Sequence, residues 1–117
     1  MLLAVLPVTA NVLTAPAVNA GAYYKNEGGN KTTVLNVMEQ RIRYILNVFA
    51  SKGNRTIILG AYGCGVFGND VADVAETFCK LLISEGMEKN FEHIVFAVYD
   101  SNGHQFNVFQ SLFEKGQ

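Results

Sequence analysis

The chain has 117 residues, with nine basic and ten acidic side chains and a formal net charge of −1. That length suits one small domain or part of a larger one, and without a run of Lys and Arg it excludes a partner gripped through nucleic-acid phosphates. Half of the residues are hydrophobic, enough for a core, yet no apolar run approaches the roughly 20 residues of a membrane-crossing helix.

Met1 to Val8 is apolar, and Val18-Asn19-Ala20 matches a signal-peptidase site. No Lys or Arg precedes the apolar stretch, and Pro7 and Asn11 interrupt it, so a cleaved leader is not expected. Ala10 to Thr14 reads as a buried strand that ends at Pro16. Residues 16–32 carry Pro, Gly and Asn without a period, which predicts a long loop. Apolar residues then recur at Val34, Met38, Ile42, Ile45, Leu46 and Phe49. This spacing predicts a helix from Thr33 to Ser51, capped by Thr32 or Thr33 and closed by Gly53 in left-handed geometry.

Thr56-Ile57-Ile58-Leu59 predicts a short strand, apolar enough for a parallel sheet covered on both faces. A second amphipathic helix is expected from Asn69 to Ser84. Its stripe is Val71, Val74, Ala75, Phe78, Leu81 and Leu82, its cap Asn69 or Asp70, and its end Gly86. His93 to Tyr99 reads as another strand, and Phe106, Phe109, Leu112 and Phe113 as a final short helix. The order β–loop–α–β–α–β–α defines an α/β layered domain, with ligands expected at the carboxyl ends of the strands.

Leu59 to Asp70 lies at such an end, and it holds Gly60, Gly63, Gly65 and Gly68. A glycine turn between a strand and a helix N-terminus presents free N–H groups and a positive dipole end to phosphate. Gly63-x-Gly65-x-x-Gly68 matches a dinucleotide fingerprint, with Asp100 available for the ribose acid's role. However, the glycine run begins earlier, at Gly60, and Asp100 lies beyond the spacing of about 20 residues that the fingerprint carries. Cys64 has no histidine nearby in sequence and reads as a small turn residue rather than a nucleophile. Cys79 reads as core. His93 and His104 show no metal spacing, and Tyr23 and Tyr24 read as packing of the long loop. Neither a metal nor a cofactor is expected, and two cysteines without a disulfide framework suit a reducing, cytoplasmic setting.

Gly60-x-Tyr62-Gly63-Cys64-Gly65-x-Phe67-Gly68-x-Asp70 resembles the second diphosphate-binding loop of poly(ADP-ribose) glycohydrolases, in particular their microbial-type branch. The resemblance continues upstream through Val12 to Gly21 and downstream through Ile94 to Asp100. It implies a macrodomain-like, three-layer α/β/α fold with a mostly parallel or mixed sheet, and a pocket for ADP-ribose or its polymer. In that pocket the backbone amides of Gly63, Cys64, Gly65 and Val66 cradle the diphosphate. Phe67 packs on the terminal ribose, and Asn19-Ala20-Gly21 forms a border; Gly60, Tyr62 and Gly68 belong to the same loop.

The family's catalytic signature, a glycine triplet followed by Gln-Glu-Glu, has no counterpart in this sequence. Gly28-Gly29 is followed by Asn30, and Glu39-Gln40 is in reversed order on a helix. The resemblance therefore implies a domain truncated at the N-terminus that binds ADP-ribose and, without a positioned carboxylic acid, does not cleave it. A truncated sheet is also expected to leave an open edge that promotes self-association. The alternatives are a Rossmann-type dinucleotide module and a non-catalytic remnant of the fold.

Overall fold

The computed structural model describes residues 9–115. Met1 to Val8, the apolar start noted above, lies outside them. Helix α1 is Ala20–Glu27, α2 Lys31–Ser51, α3 Val71–Cys79 and α4 His104–Lys115; strand β1 is Thr56–Leu59 and β2 His93–Phe96.

The predicted loop over 16–32 contains α1. Its ends, not its periodicity, carry the signal: Asn19 Oδ1 accepts the Ala22 N–H at 3.1 Å, and Gly28 closes the helix at φ 59°. Asn30 then caps α2 through the Thr32 N–H at 2.7 Å, the role the sequence reading gave to Thr32 or Thr33. Gly53 follows α2 in left-handed geometry, as expected. The strand expected at Ala10–Thr14 does not form. Residues 9–19 pair with no strand among the described residues, and Asn11 is tied by its side chain to Asn54 Oδ1 at 2.8 Å. A β-type composition becomes a strand only where a neighbouring chain completes the ladder.

β1 and β2 pair in parallel, with Ile57 opposite Ile94 and Leu59 opposite Phe96. The second strand stops at Phe96 rather than Tyr99 because β1 turns away at Gly60, leaving Ala97 N–H to Leu59 O (2.7 Å) as the last rung. Asp70 caps α3, its Oδ1 accepting the Asp73 N–H at 3.1 Å. The helix continues into a π-helical turn over Lys80–Ser84, which carries Leu81 and Leu82 into the core; Gly86, at φ 76°, ends it.

One face of the sheet, Ile57 and Leu59 with Ile94 and Phe96, joins Ile42, Leu46, Val74, Phe78 and Phe109 in a single core. Phe96 is its hub, with ring centroids 5.1 Å from Phe78, 5.2 Å from Phe109 and 4.7 Å from Phe113. The opposite face differs from the expectation of a sheet covered on both sides. Among the described residues the helices lie on one face, leaving Ile58 68% and Val95 49% exposed.

Candidate functional site

β1 delivers the chain to the glycine loop, and short hydrogen bonds fold that loop back on itself. Tyr62 N–H reaches Gly60 O (2.9 Å), Cys64 N–H reaches Ala61 O (3.1 Å), Gly68 N–H reaches Gly65 O (3.0 Å) and Asn69 N–H reaches Gly63 O (3.0 Å). Gly63 and Gly68 sit at φ 74° and 72°. A Cβ on Gly63 would lie 2.6 Å from Asn69 Nδ2 and 2.7 Å from the Ala17 Cβ, so only glycine fits there.

Neighbouring segments hold the loop in place. Phe67 O accepts the Gly21 N–H at 3.0 Å, which seats the loop on the first turn of α1. Tyr62 donates its hydroxyl to Pro16 O at 2.6 Å, where Arg41 also donates at 3.0 Å. Burial pushes the Tyr62 hydroxyl above its ordinary pKa, with the Arg41 charge opposing. Tyr62 is thus a tie beneath the loop, and its proton is engaged with protein.

Asn69, offered by the sequence only as an alternative cap for α3, serves instead as a tie. It is buried, and its Nδ2 donates to Val18 O at 2.7 Å and Gly63 O at 2.9 Å, joining the loop to the segment before α1. The signal was present: Asn69 and Asp70 are adjacent cap-type residues, and a helix uses one of them.

Among the described residues, the N–H groups of Gly63, Gly65, Val66 and Phe67 donate to no protein acceptor. Val66 is 98% exposed and Phe67 36%. Gly65 differs from Gly63: its φ is not positive, and a Cβ there would meet nothing within 4 Å. Nothing in the fold requires glycine at 65, so its small size leaves room for something outside the protein. The Cys64 N–H, expected among the cradle donors, is held by Ala61 O.

Cys64 is half-buried, and its Sγ lies 3.7 Å from Tyr62 O. Burial, reinforced by the Asp70 charge, pushes its thiol up to about 11. That direction favours the neutral thiol over the thiolate that a nucleophile needs. Asn19 lies at the loop's border with Oδ1 engaged as the α1 cap, leaving its Nδ2 as the side-chain donor. Tyr23 packs against the core, whereas Tyr24 lines a cavity of about 300 Å³ that adjoins Gly68 and Asn69 between α1, α2 and α3.

Asp100, the candidate ribose acid of the dinucleotide reading, caps α4 instead. Its Oδ2 accepts the Gln105 N–H at 2.9 Å, and its Oδ1 is buried without a partner among the described residues. The Gln105 side chain reaches Cys64 O at 3.5 Å, a long contact that links α4 to the loop. Among the described residues no cluster of His, Cys, Asp and Glu has the make-up of a metal site, and no helix is long and apolar enough to cross a membrane.

A parallel strand–loop–helix unit, with a glycine turn that leaves four amide N–H groups without a protein acceptor among the described residues, defines an α/β domain. Neither a family model nor a curated protein matches the sequence. Solved structures do. A poly(ADP-ribose) glycohydrolase from Deinococcus radiodurans, in complex with ADP-ribose, is 40% identical with a TM-score of 0.80; the match covers 86% of this chain and 41% of that one. The apo form of the same enzyme gives 40% identity and a TM-score of 0.79, covering 87% and 42%. The enzyme from Thermomonospora curvata gives 37% and 0.77, covering 85% and 36%. Over most of its length the chain is similar in sequence and fold to microbial poly(ADP-ribose) glycohydrolases, and it spans about two fifths of the solved proteins it matches.

Proposed function

We propose that this chain is the ADP-ribose-binding part of a poly(ADP-ribose) glycohydrolase-like protein. The observation that carries the reading is the run of amides at Gly63, Gly65, Val66 and Phe67 without a protein acceptor among the described residues, which includes a glycine, Gly65, with open space where a Cβ would stand. A diphosphate supplies the acceptors those donors lack, and the amides offer it preorganised hydrogen bonds at the N-terminal end of α3. Phe67, one third exposed, offers its ring to the terminal ribose, and Asn19 offers Nδ2 to a hydroxyl at the rim. The D. radiodurans protein that shares the fold was crystallised with ADP-ribose.

In the same reading the fold is the loop-bearing portion of a three-layer, macrodomain-like domain, acting in the cytoplasm, where both cysteines stay free thiols. The ligand is ADP-ribose or the end of its polymer. Cleavage of a ribose–ribose bond requires a carboxylic acid placed against the leaving oxygen, and no Gln-Glu-Glu segment occurs in these 117 residues. The purified chain is therefore expected to release no ADP-ribose from polymer, measured by chromatography of the products.

The test is calorimetric titration with ADP-ribose, with NAD and AMP as controls. Saturable binding of ADP-ribose, weaker for AMP and for NAD, is expected. Tighter binding of NAD than of ADP-ribose sinks the reading in favour of a dinucleotide module, and no binding of any of the three by a folded chain sinks both.

A further inference from the structure

Three helices meet beside the glycine loop without closing the space between them. The cavity of about 300 Å³ there has a buried apolar floor of Val34 and Met38 from α2, Val74 from α3 and Ala20 from α1. Tyr24, an exposed aromatic on α1, forms one wall. None of residues 63–67 lines the cavity, so it lies beside the run of unpartnered amides rather than among them.

The polar groups at its rim are mostly acceptors. Asn69 is 8% exposed, and its Nδ2 donates to two carbonyls, Val18 O and Gly63 O, which sets the orientation of the amide. Its Oδ1, which accepts no hydrogen bond among the described residues, is then the side-chain atom that Asn69 has left to offer the cavity. A polar atom on a side chain so buried is costly to leave without a partner. Asp70 uses Oδ1 to cap α3, and Asp73 uses Oδ2 to hold Lys31 Nζ at 3.3 Å; each keeps a second carboxylate oxygen. Two carboxylates against one ammonium make this rim unfavourable for phosphate and favourable for a neutral or cationic donor.

The occupant that fits has apolar faces, lies flat against Tyr24 and carries N–H donors at its edge. The volume of about 300 Å³ stands at the lower end of the roughly 300–1,000 Å³ of small-molecule sites, which suits one fused ring system and not a whole dinucleotide. A purine with an exocyclic amine meets each condition. Its face stacks on the Tyr24 ring, and its amine donates to Asn69 Oδ1 or to the carboxylates.

We propose that the cavity between α1, α2 and α3 is a second ligand site that takes an aminopurine ring, separately from the ligand of the glycine loop. The proposal rests on the cavity's own residues, so a failed ADP-ribose titration leaves it standing. Such a ring is carried by a free nucleoside and by each unit of an ADP-ribose chain.

The experiment is an amide nitrogen–proton NMR titration of the full chain with adenosine, repeated with ADP-ribose present and with uridine as control. Adenosine is expected to shift the amides of Tyr24, Asn69, Asp73 and Val74 in both series, and uridine to bind at least tenfold more weakly. Tyr24→Ala should weaken adenosine at least tenfold, and Tyr24→Phe should restore it. Leu35→Phe, which narrows the cavity from a partly buried position, is an independent block, with circular dichroism confirming the fold of each variant. A two-unit ADP-ribose oligomer that displaces adenosine assigns the ring to the polymer; one that does not assigns it to a free nucleoside. Cavity amides that adenosine leaves unmoved, or an affinity that folded Tyr24→Ala leaves unchanged, overturn the proposal. So does ADP-ribose that shifts those amides and abolishes the adenosine response, which would make the cavity part of the loop's own site.

Discussion

At the scale of single residues, the glycines of one loop do different jobs. Gly63 satisfies the fold: a side chain there meets Asn69 and Ala17 and is forced into left-handed backbone. Gly63→Ala should therefore cost at least about 1–2 kcal/mol from the backbone conformation alone, read by urea denaturation. Gly65→Ala should leave stability unchanged or slightly raised, by roughly 0.4–1 kcal/mol, because the backbone accepts it. It should nonetheless weaken ADP-ribose binding at least tenfold. The sequence shows both glycines alike; only three dimensions separate the one crowded by neighbours from the one facing open space. Cys64 yields a prediction with a definite sign. Its folded thiol titrates near 11 against an ordinary 9.0, so alkylation should be slow at neutral pH and accelerate toward pH 11. The folded state holds its proton longer than the unfolded one, so this group's stabilisation is present below about pH 9 and lost as the pH rises through 11.

At the scale of elements, caps decide what periodicity leaves open. α2, β1 and α3 were legible because their apolar spacing repeats over enough residues to mark one buried face. α1 was not, since eight residues with one buried side chain, Ala20, leave no stripe; its signals are Asn19 and Gly28. Asn19→Ala should cost about 1 kcal/mol, and by loosening the Gly21–Phe67 contact it should also reduce affinity at the loop. Asn69 binds elements together rather than starting one. Asn69→Leu removes the side-chain donor from Val18 O, whereas Gly63 O keeps the Asn69 backbone N–H. Leaving such a group unsatisfied costs about 1–3 kcal/mol, so this variant should lower the urea midpoint more than Asn19→Ala does. The expected strand at Ala10–Thr14 shows the limit of reading an element in isolation, because a strand is a property of a pair.

For the whole molecule, the mixed helix-and-parallel-strand class followed from the order of elements. The open face of the sheet among the described residues did not, because an apolar strand reads the same whether or not its second face is covered. Ile58 and Val95 record that difference among the described residues. The most direct test of the central claim is an amide nitrogen–proton NMR titration of the full chain with ADP-ribose. The account predicts the largest shifts at Gly63, Gly65, Val66 and Phe67, with smaller ones at Asn19 and Gly21. Shifts concentrated elsewhere at saturation, with those four amides unmoved, would contradict it.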